Sequence, residues 1–152
     1  MSRRQILKKN HIHSILFYDS ILIQKIINQL TKKGKKTLAH KIINQVIQEI
    51  EHKTQQDPIQ VIEHAIRNVA PAVEIKARRI GGAVYSIPIE LDADRGISIA
   101  IKWILKCCNN QSGLPLAVSL ANEIMDASNK VGSAMRKRDE VYKIAESSTR
   151  LA

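Results

Sequence analysis

The sequence predicts a mainly α-helical single domain of six helices, with a two-stranded β-ribbon projecting between the third and fourth helices. Three observations carry this. Apolar residues recur at helical spacing in six separate stretches. One segment, about residues 73–91, switches to β-rich runs on either side of Gly81-Gly82. And 152 residues, 44% apolar and 25% charged, are enough for one globular domain with its own core. No internal repeat or low-complexity linker divides the chain.

Residues 1–16 form a polar, basic N-terminal arm, expected to order on a partner. Residues 17–152 form the helical domain, with the hairpin inserted at about 73–91. The first helix spans Ser20–Leu30, where Leu22, Ile26 and Leu30 make one stripe and Ile23 and Ile27 lie beside it. Lys32-Lys33-Gly34-Lys35-Lys36 breaks the pattern, and Gly34 is expected to close that helix in a left-handed conformation. The second helix, about Thr37–Lys53, buries Ala39, Ile42, Ile43, Val46, Ile47 and Ile50. Asp57-Pro58-Ile59-Gln60 starts the third: Asp as N-cap, Pro at the first helical position, Gln at the capping-box position. It carries Ile62, Ala65, Ile66 and Val69 and stops before Pro71.

The glycine pair then predicts a hairpin. With both glycines in the turn, Arg78 lies opposite Tyr85 and Lys76 opposite Ile87. Neither face is cleanly apolar, so the element reads as a projecting ribbon rather than a sheet laid on a core. Pro88 is compatible with a two-stranded ribbon, in which each strand has a free edge. The fourth helix presents Ile97, Ala100, Ile101, Ile104, Leu105 and Cys108. After a loop at 109–115, the fifth presents Ala117, Leu120, Ala121, Ile124 and Met125 and ends near Gly132. The last, about Ser133–Ser148, is charged, with Met135, Val141, Tyr142 and Ala145 inward.

The charge is uneven. There are 24 Lys and Arg against 14 Asp and Glu, a net of +10. Residues 1–56 hold 11 basic and 3 acidic residues, a net of +8, and residues 129–152 hold 6 and 3, a net of +3. Such a balance points to a polyanion. Lys32, Lys33, Lys35 and Lys36 crowd a helix boundary, which favours phosphate binding over a solvated loop. Arg78 and Arg79 fit two readings equally: a ribbon that enters a nucleic-acid groove, or a hairpin kept soluble by charge at its edges. Arg136-Lys137-Arg138 divides in the same way between phosphate contact and solvated surface. Aromatic residues are too few for a track of stacked bases.

Catalytic and metal constellations are absent from the sequence. It has no phosphate-cradling glycine motif and no zinc-protease motif. The five histidines have no cysteines at zinc spacing. Adjacent Cys107 and Cys108 point about 100° apart on a helix, and Cys108 reads as a small core residue. No enzyme, cofactor or metal is expected. No apolar run reaches the roughly 18 residues of a membrane span, and no export signal is visible, so a reducing compartment is expected. The chain has 24 Ile against 11 Leu and 15 Lys against 9 Arg, a codon-level bias suggesting an A+T-rich genome such as an organelle's.

The blocks Gly34-Lys35-Lys36, Asp57-Pro58, Ala65-Ile66-Arg67-Asn68-Val69, Lys76-Ala77-Arg78-Arg79-Ile80-Gly81-Gly82-Ala83, Pro88-Ile89-Glu90, Lys102-Trp103, Leu120–Ala127 and Arg136–Glu140 occur in that order. Together they resemble the small-subunit ribosomal protein seven family, in its cyanobacterial and plastid branch. The resemblance implies six helices with a ribbon between the third and fourth. It implies a structural protein that binds the 3′ major domain of small-subunit rRNA and nucleates head assembly. Its partners would include neighbouring head and platform proteins, with the exit-site tRNA and the mRNA close to the hairpin. Carried over, the rRNA-binding residues would be Arg3, Arg4, Lys35, Lys36, Lys76, Arg78, Arg79, Lys102, Arg136, Lys137 and Arg138, with Ile80, Gly81, Gly82 and Ala83 as the hairpin tip. Charge adds Lys32 and Lys33. The family's Asp-Pro before Tyr18 is replaced by Ile15-Leu16, and its aromatic, basic tail is missing. The expected location is a plastid ribosome rather than a mitochondrial one. The rival readings are an architectural DNA-binding protein, which would need a dimer interface, and a phosphodiester hydrolase, which would need clustered acids.

Overall fold

The computed structural model of the protein describes residues 20–110 and 113–150, with Ile80, Thr149 and Arg150 as backbone only. The elements run α1 (Ile21–Leu30), α2 (Lys36–Thr54), α3 (Pro58–Val69), β1 (Val73–Ile80), β2 (Ala83–Glu90), α4 (Ala93–Asn110), α5 (Leu116–Ser128) and α6 (Ser133–Arg150). The six helices and the inserted ribbon are those the sequence predicts. The basic arm, including Arg3 and Arg4, lies outside the described residues.

The core forms where the apolar stripes converge. Ile43, Val46 and Ile50 of α2, Ile62 and Ile66 of α3, Ile101 and Ile104 of α4, and Leu120 and Ile124 of α5 are all buried. The third helix begins as its start signal requires: the Asp57 carboxylate accepts from the Ile59 amide at 3.0 Å. Gly96 is the tightest point of the packing. A Cβ there would stand 2.9 Å from the Pro71 carbonyl oxygen, so only glycine lets α4 pass so close to the end of the α3 segment.

Four expectations need correction. Gly34 does not close α1. The helix ends at Leu30, where the amide and hydroxyl of Thr31 both donate to the Ile27 carbonyl. Gly34 instead sits with Lys33 in a turn, both at positive φ, closed by the Lys35 amide on the Lys32 carbonyl at 3.1 Å. In α1 the buried face is Ile23, Ile26 and Ile27, while Leu22 and Leu30 are only partly covered. The fifth helix stops at Ser128, short of Gly132, where Lys130 turns to a φ of 61° and the Val131 amide closes back on the Asp126 carbonyl at 2.8 Å; the Asn68 side chain donates to the Ala127 and Ser128 carbonyls at 3.1 and 3.0 Å. Finally, the ribbon projects only in its outer half. Its root is half-buried at Val73, Ile75, Ile87 and Pro88, and the Arg95 guanidinium clamps it to α4 by two bonds to Glu74 Oε2, at 3.1 and 2.7 Å.

Candidate nucleic-acid interface

The lysine turn is built for display. Its two central residues have φ of 52° and 74°, and Lys32, Lys33, Lys35 and Lys36 are all exposed. None of the four has an acidic partner among the described residues. The hairpin has the predicted register, with Arg78 paired to Tyr85, Arg79 to Val84 and Lys76 to Ile87. Gly81 and Gly82, at φ 57° and 92°, make the turn that this register requires. Lys76, Arg78 and Arg79 are exposed and likewise without acidic partners among the described residues.

The two regions are connected along α4. Lys32 and Lys35 line a cleft of about 230 Å³ with Gln29, Leu105 and Asn109. The last three also wall an adjoining recess, where they meet Lys102 and Lys106. Lys102 in turn lines a cleft of about 350 Å³ with Trp103, with Glu74 and Ile75 at the root of the hairpin, and with Val141 of α6. Shared walls therefore join the lysine turn, one face of α4 and the hairpin root into a single tract. Beneath it the Gln29 amide nitrogen donates to the Ser98 carbonyl at 3.1 Å, while Oε1 is buried without a partner among the described residues.

Sequence reasoning missed Lys106, Gln29 and Asn109. Lys106 was within reach of it, since it sits one helical turn beyond Lys102 on the polar face of α4. Gln29 and Asn109 carry no signal until α1 and α4 are packed together.

The cationic cluster of α6 divides. Arg136 is exposed. Lys137 is half-buried and acts electrostatically on Cys107 of α4. Arg138 is held by the protein itself. Its guanidinium donates to the Asn68 carbonyl, gives two bonds to Asp139 at 3.1 and 2.8 Å, and lies 5.9 Å from the centre of the Tyr142 ring. The Tyr142 hydroxyl accepts from the Ala72 amide at 3.0 Å, so this group fastens α6 to the end of α3 and the hairpin root.

Nothing among the described residues resembles a reaction centre. No group of three or more His, Cys, Asp or Glu that could hold a metal lies among the described residues, and no helix there is long and apolar enough to cross a membrane. Burial pushes the Cys108 thiol up to about 12, reinforced by the Glu123 charge, and burial also raises Cys107. Both stay protonated at neutral pH and lack nucleophilic thiolate.

Comparison with known proteins identifies the family. The family model for ribosomal protein S7p/S5e matches residues 2–149. The chain is 46% identical over 152 residues to the small ribosomal subunit protein uS7c of Tupiella akineta, covering 100% of this chain and 97% of that protein. The corresponding protein of Nephroselmis olivacea is 45% identical with the same coverage. The protein uS7 of the cyanobacterium Acaryochloris marina is 43% identical, again covering 100% of this chain and 97% of its own length. Matched along almost its whole length, the chain belongs to the ribosomal protein S7p/S5e family, structural and non-enzymatic proteins of the small ribosomal subunit.

Proposed function

We propose that the chain binds the 3′ major domain of small-subunit rRNA in a plastid ribosome and nucleates assembly of the subunit head. The observation that carries this is the tract of cations, without acidic partners among the described residues, from the lysine turn through Lys102 and Lys106 to the hairpin. A helical body fixes the spacing of these charges, so RNA helices that converge on it are held at set distances. Arg3, Arg4, Lys32, Lys33, Lys35, Lys36, Lys76, Arg78, Arg79, Lys102, Arg136 and Lys137 are the phosphate contacts in this reading, and Lys106 joins them. Arg138 belongs to the same set and also orients α6, since three of its N–H donors are used within the protein while its side chain keeps 27% exposure. The exposed tip at Gly81, Gly82 and Ala83, with Ile80, reaches toward the exit-site tRNA and the mRNA path and toward a platform protein. The plastid setting is supported by the algal uS7c relatives.

The test is affinity for a folded 3′ major-domain transcript as salt rises. With ~6–10 phosphate contacts, the loss from about 50 to about 200 mM salt is about 10³–10⁵-fold on the scale established for duplex DNA. A flat salt response would overturn the electrostatic basis. Equal affinity for duplex DNA at one salt concentration would favour an architectural DNA-binding role instead.

A further inference from the structure

We propose that the cleft between the hairpin root, α4 and α6 is a nucleobase site: it takes one unstacked, amino-bearing base of the bound RNA, stacked on Trp103, with the adjoining phosphate on Lys102. The inference rests on the rRNA-binding reading and specifies what one part of the tract recognises.

Size comes first. The cleft holds about 350 Å³, at the low end of the roughly 300–1,000 Å³ of small-molecule sites. That suits a single base and its sugar. The wall comes next. Trp103 packs against the core yet remains only half-buried, and it lines the cleft. Its indole N–H has no partner among the described residues. An aromatic face beside a cation is how proteins hold bases taken out of an RNA stack. Lys102 supplies that cation, exposed and without an acidic partner among the described residues.

The third element sets the choice of base. Glu74 also lines the cleft, and both Arg95 bonds fall on its Oε2, leaving Oε1 without a partner among the described residues. A carboxylate oxygen accepts from an exocyclic amino group, as in the pairing of Glu with the cytosine amine. Uracil has no exocyclic amino group to offer that oxygen. The scarcity of aromatic residues along the chain limits the site to one base rather than a track.

Trp103 is the chain's sole tryptophan, so its emission reports this cleft alone. The full chain is titrated with a folded 3′ major-domain transcript, and separately with adenylate, cytidylate and uridylate tetranucleotides, while emission and acrylamide quenching are followed. The transcript is expected to quench Trp103 and to shield it from acrylamide. Adenylate and cytidylate should do so at lower concentration than uridylate. Trp103→Leu should weaken transcript binding about 5–150-fold, the range expected for one stacked base, and Trp103→Phe should restore most of it. If Trp103 in the saturated complex stays as open to acrylamide as in the free protein, the cleft holds no base. That result stands on the unaltered protein, whatever the folding of the variants. Steep salt-dependent binding of the transcript alongside it would leave the rRNA reading intact, whereas no transcript binding at all overturns both. Equal quenching by uridylate overturns the role given to Glu74.

Discussion

Helix α5 and the outer half of the hairpin are equally regular and differ in what completes them. In α5 the buried polar groups are answered from within the chain. Glu123 is 1% exposed, and its Oε1 accepts from the Ala134 amide at 2.7 Å, which starts α6. Ser119 donates to the Cys108 carbonyl at 3.4 Å, and Asn68 closes the helix end. The hairpin does the opposite. Val84 is 67% exposed and Tyr85 50%, beside two arginines that have no acidic partner among the described residues. Groups matched inside the chain mark the scaffold. Groups left unmatched mark where another molecule must supply the match.

Four changes break or sharpen this contrast. The largest effect is expected for Ile66→Ala, which empties a site 2% exposed beneath α5. It should cost ~2–5 kcal/mol in a denaturant melt, with RNA affinity nearly unchanged where the protein remains folded. Glu123→Ala should follow at ~1–3 kcal/mol, since it strips the Ala134 amide of its acceptor. A loss comparable to Ile66→Ala would mean that Glu123 organises more of the core than the start of α6. Removing 77–86 and closing the gap with a short linker should shift stability by less than ~1 kcal/mol, because those side chains with described positions are exposed. Circular dichroism should show the helices intact and the melt cooperative, while subunits carrying the deletion handle exit-site tRNA abnormally. The smallest effect on stability belongs to Lys35→Glu with Lys36→Glu. Acids near the α2 N-terminus are favourable by ~0.3–1 kcal/mol each, so the melting temperature should hold or rise slightly. RNA binding should weaken, as two attractive charges become repulsive. Unchanged affinity would remove both lysines from the interface.

Local signals made much of this legible in advance. Asp57-Pro58 located the start of α3, and Gly81-Gly82 gave both the hairpin and its register, since each depends on backbone chemistry within a few residues. The site was legible only as separate cationic clusters. Arg138 looked like its neighbours in sequence, but the Asn68 carbonyl and Asp139 take three of its N–H donors. Glu123 carries no sign of burial in the sequence, yet it is buried where α6 starts over it. Lys106 gained meaning once Gln29 and Asn109 were seen to share a wall with Lys102. In each case the deciding partner stands on another helix. Gly34 failed differently: a helix end and a tight turn both call for positive φ, and residue type alone does not choose between them.

The sheet has two strands and no third among the described residues, so each strand of the outer ribbon keeps an unpaired edge beside Val84 and Tyr85. Such an edge is a template on which a second copy can add a strand. What holds copies apart is the net charge of +10, a repulsion whose reach shrinks as counterions gather. The colloidal state of the free protein is therefore tied to its ionic surroundings. In dilute buffer the ribbons stay apart; at about 1 M salt, where the screening length falls to about 3 Å, light scattering should show self-association. In the proposed complex RNA neutralises the same cations, and so removes the repulsion that had guarded the edge. A chain that meets its RNA late therefore depends on that repulsion for longer.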